Sequence, residues 1–233
     1  MRDYFEWRFN LAPRVVFLHT VTTLAGLFTD ISKELLPADL EVIHIADELL
    51  LKSVLAQGGL SPLIHRRVAE HAIAAEQAGA VAFQCTCSSI SPCVDTVRPM
   101  VGIPVLKIDD PMVDEALRLG TRIAVVATAL TTLKPTSELV HTRAADLGYS
   151  VQVETVLCEG AYAALLAGEV ATHDAIVRRY LMGLMERNEV IILAQASMAR
   201  VVEGIPPEEA RIPILSSPRL AVMRLAGVLG SPA

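Results

Sequence analysis

The chain has 233 residues, 52% of them hydrophobic and only 4% aromatic, with a formal net charge of -6. A scattered negative excess argues against nucleic acid or an anionic membrane as partner, and an Ala- and Val-rich apolar content suits buried parallel sheet covered by helices. The opening MRDYFEWRFNLAP lacks the apolar core of a signal peptide, and Cys85, Cys87, Cys93 and Cys158 follow neither a disulfide framework nor zinc spacing, so a cytoplasmic protein is expected.

Short β-branched apolar runs bounded by turn residues read as buried strands. They fall at 14–19, 40–45, 80–84, 103–107, 122–127, 150–156, 190–194 and 212–215. Between the second and third strands lies the clearest helix, with Ser61 as N-cap, Pro62 in the first turn, Ile64, Val68, Ala72 and Ala75 on one face, and a stop at Gly79. The uncharged stretch 77–94 is broken by Gly79 and Pro92 and is no membrane span. A second helix begins at Thr172 and carries Ala175, Ile176 and Arg179; Ser217-Pro218 opens the last, which ends at Gly227 or Gly230. Alternating strands and helices predict an α/β fold with parallel strands joined by right-handed crossovers.

The chain also repeats itself. RVVFLHTVTTL at 14–24 answers to RIAVVATALTTL at 122–133, AVAFQCTCS at 80–88 to VIILAQASM at 190–198, and IPVL at 103–106 to IPIL at 212–215. The offset stays near 109, as it does when one supersecondary unit is used twice. Two pseudo-symmetric domains follow, each a parallel sheet flanked by helices in the Rossmann-like or flavodoxin-like manner. One comprises 1–110 with 216–233 packing back, the other 111–215. Ligands of such sheets bind at the strand carboxyl ends. His19-Thr20, Cys85-Thr86, Thr128 and Gln195-Ala196-Ser197 all stand there, so the active site is expected at the domain interface.

Cys85 reads as a thiol where a strand meets a helix start, whose amides lower its pKa; the competing reading is a small buried hydrophobe. Cys87 is assigned a supporting place in the site, and Cys93 and Cys158 structural ones. Thr20, Thr23, Thr128 and Thr131 recur as T-x-x-T in both halves, which suits either a bound carboxylate or ordinary helix capping. His19 is either a second acid or base beside Cys85 or a satisfied structural group. After Leu18 the chain reads HTVTTLAG rather than a dinucleotide fingerprint, and the six histidines are scattered, so neither nucleotide cofactor nor metal is expected.

On these residues the chain resembles the aspartate/glutamate/hydantoin racemase superfamily, which also includes maleate isomerases and arylmalonate decarboxylases. The resemblance implies two similar domains around a small carboxylate, with no cofactor and one cysteine on each side of the acidic carbon. It matches Cys85 in FQCTCSS to the first cysteine, Thr86 and Cys87 to oxyanion-binding positions, and Thr128 and Thr131 to the second-domain threonine motif. Gln195 in LAQASM matches the second cysteine, and Gln195 and Ser197 would orient the substrate. A glutamine amide neither takes nor delivers a proton near neutral pH, so the expectation is one-sided chemistry through Cys85: isomerisation, with decarboxylation, lysis or hydrolysis as alternatives. A non-catalytic carboxylate-binding protein is the competing class. Dimerisation is common in the family, and the apolar final helix at 220–229 serves that or intramolecular packing equally well.

Overall fold

A computed structural model of the chain describes residues 12–230. The first eleven residues, on which most of the signal-peptide reading rests, lie outside the described part. Strands β1 (Arg14–His19), β2 (Glu41–Ala46), β3 (Ala80–Cys85) and β4 (Val105–Leu106) form one sheet in the order β2-β1-β3-β4. Strands β5 (Arg122–Ala127), β6 (Gln152–Leu157), β7 (Val190–Leu193) and β8 (Ile214–Ser216) form a second in the order β6-β5-β7-β8. Every pairing is parallel. The same order in both sheets is the structural form of the repeat.

The helices in chain order are α1 (Leu24–Leu35), α2 (Glu48–Gln57), α3 (Pro62–Gln77), α4 (Cys93–Val97), α5 (Asp110–Leu119), α6 (Leu130–Asp146), α7 (Ala161–Leu166), α8 (Val170–Leu184), α9 (Ala199–Glu203) and α10 (Ser217–Val228). Helix α3 starts at Pro62 with Ser61 as N-cap, and Gly79 at φ +83° lets the chain turn into β3. The helix predicted from Thr172 begins instead at Val170 and is preceded by the separate short α7.

Central strands need two apolar faces because helices cover the sheet on both sides. Val16, Leu18, Phe83 and Cys85 point to one side, against Leu50 and Val54 of α2 and Ile64, Val68 and Ala72 of α3. Their neighbours Val15, Phe17 and Ala82 point to the other, against Phe28 and Ile31 of α1. Residues Ala221, Val222, Leu225 and Ala226 of α10 complete that second cluster, although α10 follows β8 of the other sheet. Helix α5 makes the reciprocal crossing. It follows β4 of the first sheet but packs Met112, Val113, Ala116 and Leu117 against Ile123 and Val125 of the second. Among the described residues no helix is long and apolar enough to cross a membrane.

Candidate active site

The carboxyl ends of β1, β3, β5 and β7 open into one cleft of about 490 Å³. The β1–α1 turn supplies Thr20, Thr22 and Thr23; the β3–α4 loop supplies Thr86, Cys87, Ser88 and Ser89. From the second lobe come Thr131 and Thr132 at the start of α6, and Gln195, Ala196 and Ser197 after β7. The lobes touch across it, Ser89 Oγ donating to Thr131 Oγ1 at 3.3 Å.

Cys85 is not in this cleft. Strand β3 runs one residue further than the sequence pattern suggests, Cys85 pairs in register with Leu18, and its side chain is fully buried in the first core cluster. No helix start lies beside it, since α4 begins only at Cys93. Burial therefore pushes its thiol well above the ordinary range, the reverse of the expected lowering. The expectation that this sulfur faces the substrate space is corrected: the thiol lining the cleft is Cys87. Desolvation raises Cys87 too, but the Thr20 hydroxyl and the backbone N–H groups of Ser89 and Ile90 pull the other way by bonding to its sulfur. Its resting form is the thiol, with three donors in place for the thiolate.

Thr128 is also displaced from its expected place. It is buried outside the cleft lining, and both its N–H and its hydroxyl donate to Gln195 Oε1, at 2.6 and 2.9 Å. With the amide oxygen held in this way, the Gln195 NH₂ is left as the donor available to a ligand. Thr20, Thr23, Thr86, Thr131, Ala196 and Ser197 do line the cleft.

His19 is fully buried behind Thr86. Thr86 bonds to His19 Nδ1 at 2.8 Å, His19 Nε2 to His44 Nδ1 at 2.8 Å, and His44 Nε2 to Thr29 Oγ1 at 2.8 Å, while Thr29 donates to the Ala25 carbonyl at 2.9 Å. The Leu18 carbonyl accepts from both the Thr86 N–H at 3.0 Å and the Thr86 hydroxyl at 2.8 Å, which fixes Thr86 at the end of this chain of bonds. Burial, with the neighbouring His44 second, lowers His19 to about 4. Both ring nitrogens are occupied, so His19 holds Thr86 rather than meeting the cleft.

Several lining residues carried no sequence signal. Ser88 donates to Asp109 Oδ1 at 2.6 Å, and burial pushes that carboxyl up to about 6. Arg200 is in the lining, but its guanidinium grips Asp174 through Nε at 3.0 Å and Nη2 at 2.8 Å. The cleft mouth adds Leu51 and Leu55 from α2 and Tyr162, Leu165 and Leu166 from α7. Among the described residues, no group of three or more His, Cys, Asp or Glu is placed to hold a metal ion.

A family profile described as Asp/Glu/hydantoin racemase matches residues 31–225. The chain belongs to that family. Membership makes it an enzyme, an isomerase by type. An allantoin racemase from Klebsiella pneumoniae superposes with a TM-score of 0.67 at 16% identity, covering 94% of this chain and 89% of its own. A glutamate racemase from Bacillus anthracis gives 0.71 at 17%, covering 95% and 83%, and an aspartate racemase homologue from Pyrococcus horikoshii gives 0.64 at 16%, covering 94% and 99%. At these identities the likeness is one of fold. No curated protein matches the chain. Membership in this family and two parallel sheets of like order agree with the expected α/β pair of lobes.

Proposed function

We propose that this racemase-family enzyme moves a proton at the carbon alpha to a carboxylate in a small acid, without a cofactor, using Cys87 as its acid and base. The observation that carries the reading is that Cys87 is the one thiol among the described lining residues, while the second lobe offers Ser197 at the repeat position of Cys87 and Gln195 at that of Cys85. Having given its proton to solvent, the Cys87 thiolate, bonded by Thr20 and the Ser89 and Ile90 amides, takes the alpha proton and leaves an enediolate; the resulting thiol returns a proton to the same carbon. Gln195 NH₂ and the hydroxyls of Thr131 and Ser197 hold the carboxylate oxygens, where negative charge grows. Return from one side gives exchange and, with substrate rotation, isomerisation; a symmetric pair of thiols is not used.

A protonated resting thiol also favours a second reading, one-sided protonation of the enediolate that loss of CO₂ would leave. Incubation in D₂O with small carboxylic acids separates the two. Deuterium appearing at the alpha carbon supports the first, and CO₂ release with one deuterium in the product supports the second. Neither event, with ligand bound and the domains closed, would instead identify a carboxylate-binding protein. The free cysteines fit a reducing cytoplasm.

A further inference from the structure

The cleft is polar at one end and apolar at the other. Its floor carries the Cys87 thiol, the Gln195 amide and the threonine and serine hydroxyls. Its mouth is formed by Leu51 and Leu55 on α2 of the first lobe and by Tyr162, Leu165, Leu166 and Val170 on α7 and α8 of the second. Three of these are strongly exposed for large apolar side chains: Leu166 at 72%, Val170 at 46% and Leu55 at 40%. Clustered exposure of this kind marks a surface that a ligand covers.

Charge points the same way. A dicarboxylate held across the cleft would set its second carboxylate among these side chains, where it needs a free cation or several donors. Arg200 is the one cation among the described lining residues, and it is occupied by Asp174, with Nη1 also donating to the Ser197 carbonyl at 3.3 Å. Glu48 stands at the same mouth with its carboxylate already paired to Lys52 at 3.2 Å. Among the described mouth residues a second anion would find no unpaired cation and one hydroxyl donor, that of Tyr162.

We infer that the substrate is a monocarboxylate whose other substituent is a bulky apolar group, branched aliphatic or aryl, seated between α2 and α7. The inference rests on the carboxylate reading of the same cleft and goes beyond it by fixing the other end of the molecule. Calorimetric titration of the intact protein with acetate, propanoate, butanoate and 4-methylpentanoate, and with succinate, tests it. Succinate bears a carboxylate where 4-methylpentanoate bears an isopropyl group. The inference expects affinity to rise about fourfold for each methylene that reaches the wall, the equivalent of about 0.8 kcal/mol, and 4-methylpentanoate to bind at least tenfold tighter than succinate. Leu166→Lys, at an exposed position that tolerates a charge, should narrow or reverse that ratio. Succinate binding as tightly as 4-methylpentanoate, or tighter, overturns the apolar end and leaves the carboxylate reading standing. If no acid of either kind binds, both fall.

Discussion

Cys85 and Cys87 are two residues apart, and both lie on the same parity of an extended chain, so sequence period cannot tell which of them leaves the sheet. The distinction comes from where β3 stops, and the backbone pairing of Cys85 with Leu18 settles that. The two thiols should then behave as different chemicals. Cys87→Ala is expected to lower turnover by about 10²- to 10⁴-fold while the fold persists. Cys85→Ala is expected to retain turnover and lose about 1 to 3 kcal/mol of stability through the core cavity it leaves. A small alkylating reagent followed by peptide mapping should label Cys87 and leave Cys85 untouched; the opposite pattern would return the chemistry to Cys85. The sequence resemblance singles out Gln195 as the expected counterpart of a second cysteine. The grip of Thr128 on its oxygen was not legible there, because that bond spans 67 residues.

At the level of elements, the ends of strands collect buried titratable groups with opposing responses to acid. His19 closes β1 and titrates at about 4 instead of 6.5; Asp109, just before α5, titrates at about 6 instead of 3.8. A histidine lowered by burial takes up its proton more readily when unfolded, so its contribution is present above pH 6.5 and is lost as pH falls toward 4. A carboxyl raised by burial does the reverse and gains relative stability as pH falls from about 6 toward 3.8. Each swing is worth about 3 kcal/mol at full extent, and the two offset one another over the same window. Asp109→Asn removes one side. Urea titrations at pH 7 and pH 4 should show the variant losing about 2 kcal/mol more than the parent on acidification, and parallel curves would sink the assignment. The strands themselves were legible because they are short, apolar and β-branched. Helices α7 and α9 were not: six and five residues are too few to display a period, and α7 carries much of the apolar mouth.

For the molecule as a whole, the constant offset between the halves was enough to reveal two similar lobes, since a repeated unit leaves its spacing in the chain. The expected division, 1–110 with 216–233 packing back and 111–215, already sends α10 to the first lobe and keeps α5 with the second. An amphipathic pattern is silent about which side chains of each sheet those helices cover. The crossing of α5 and α10 makes each lobe's core depend on the other, so heat should unfold the protein in a single transition, with calorimetric and van't Hoff enthalpies in agreement. Two resolved transitions would mean that the lobes stand alone.

The crossed helices also govern what becomes of the chain if it is divided. A cut between Leu106 and Asp110 would leave α5 on the fragment whose sheet it covers, and would strand α10 on that same fragment, away from the strands it shields. The amino-terminal piece would then show Val15, Phe17 and Phe28 to water, and the other would carry an oily helix with nothing to lie on. Neither half is a free-standing module; mixed together, they are built to find one another.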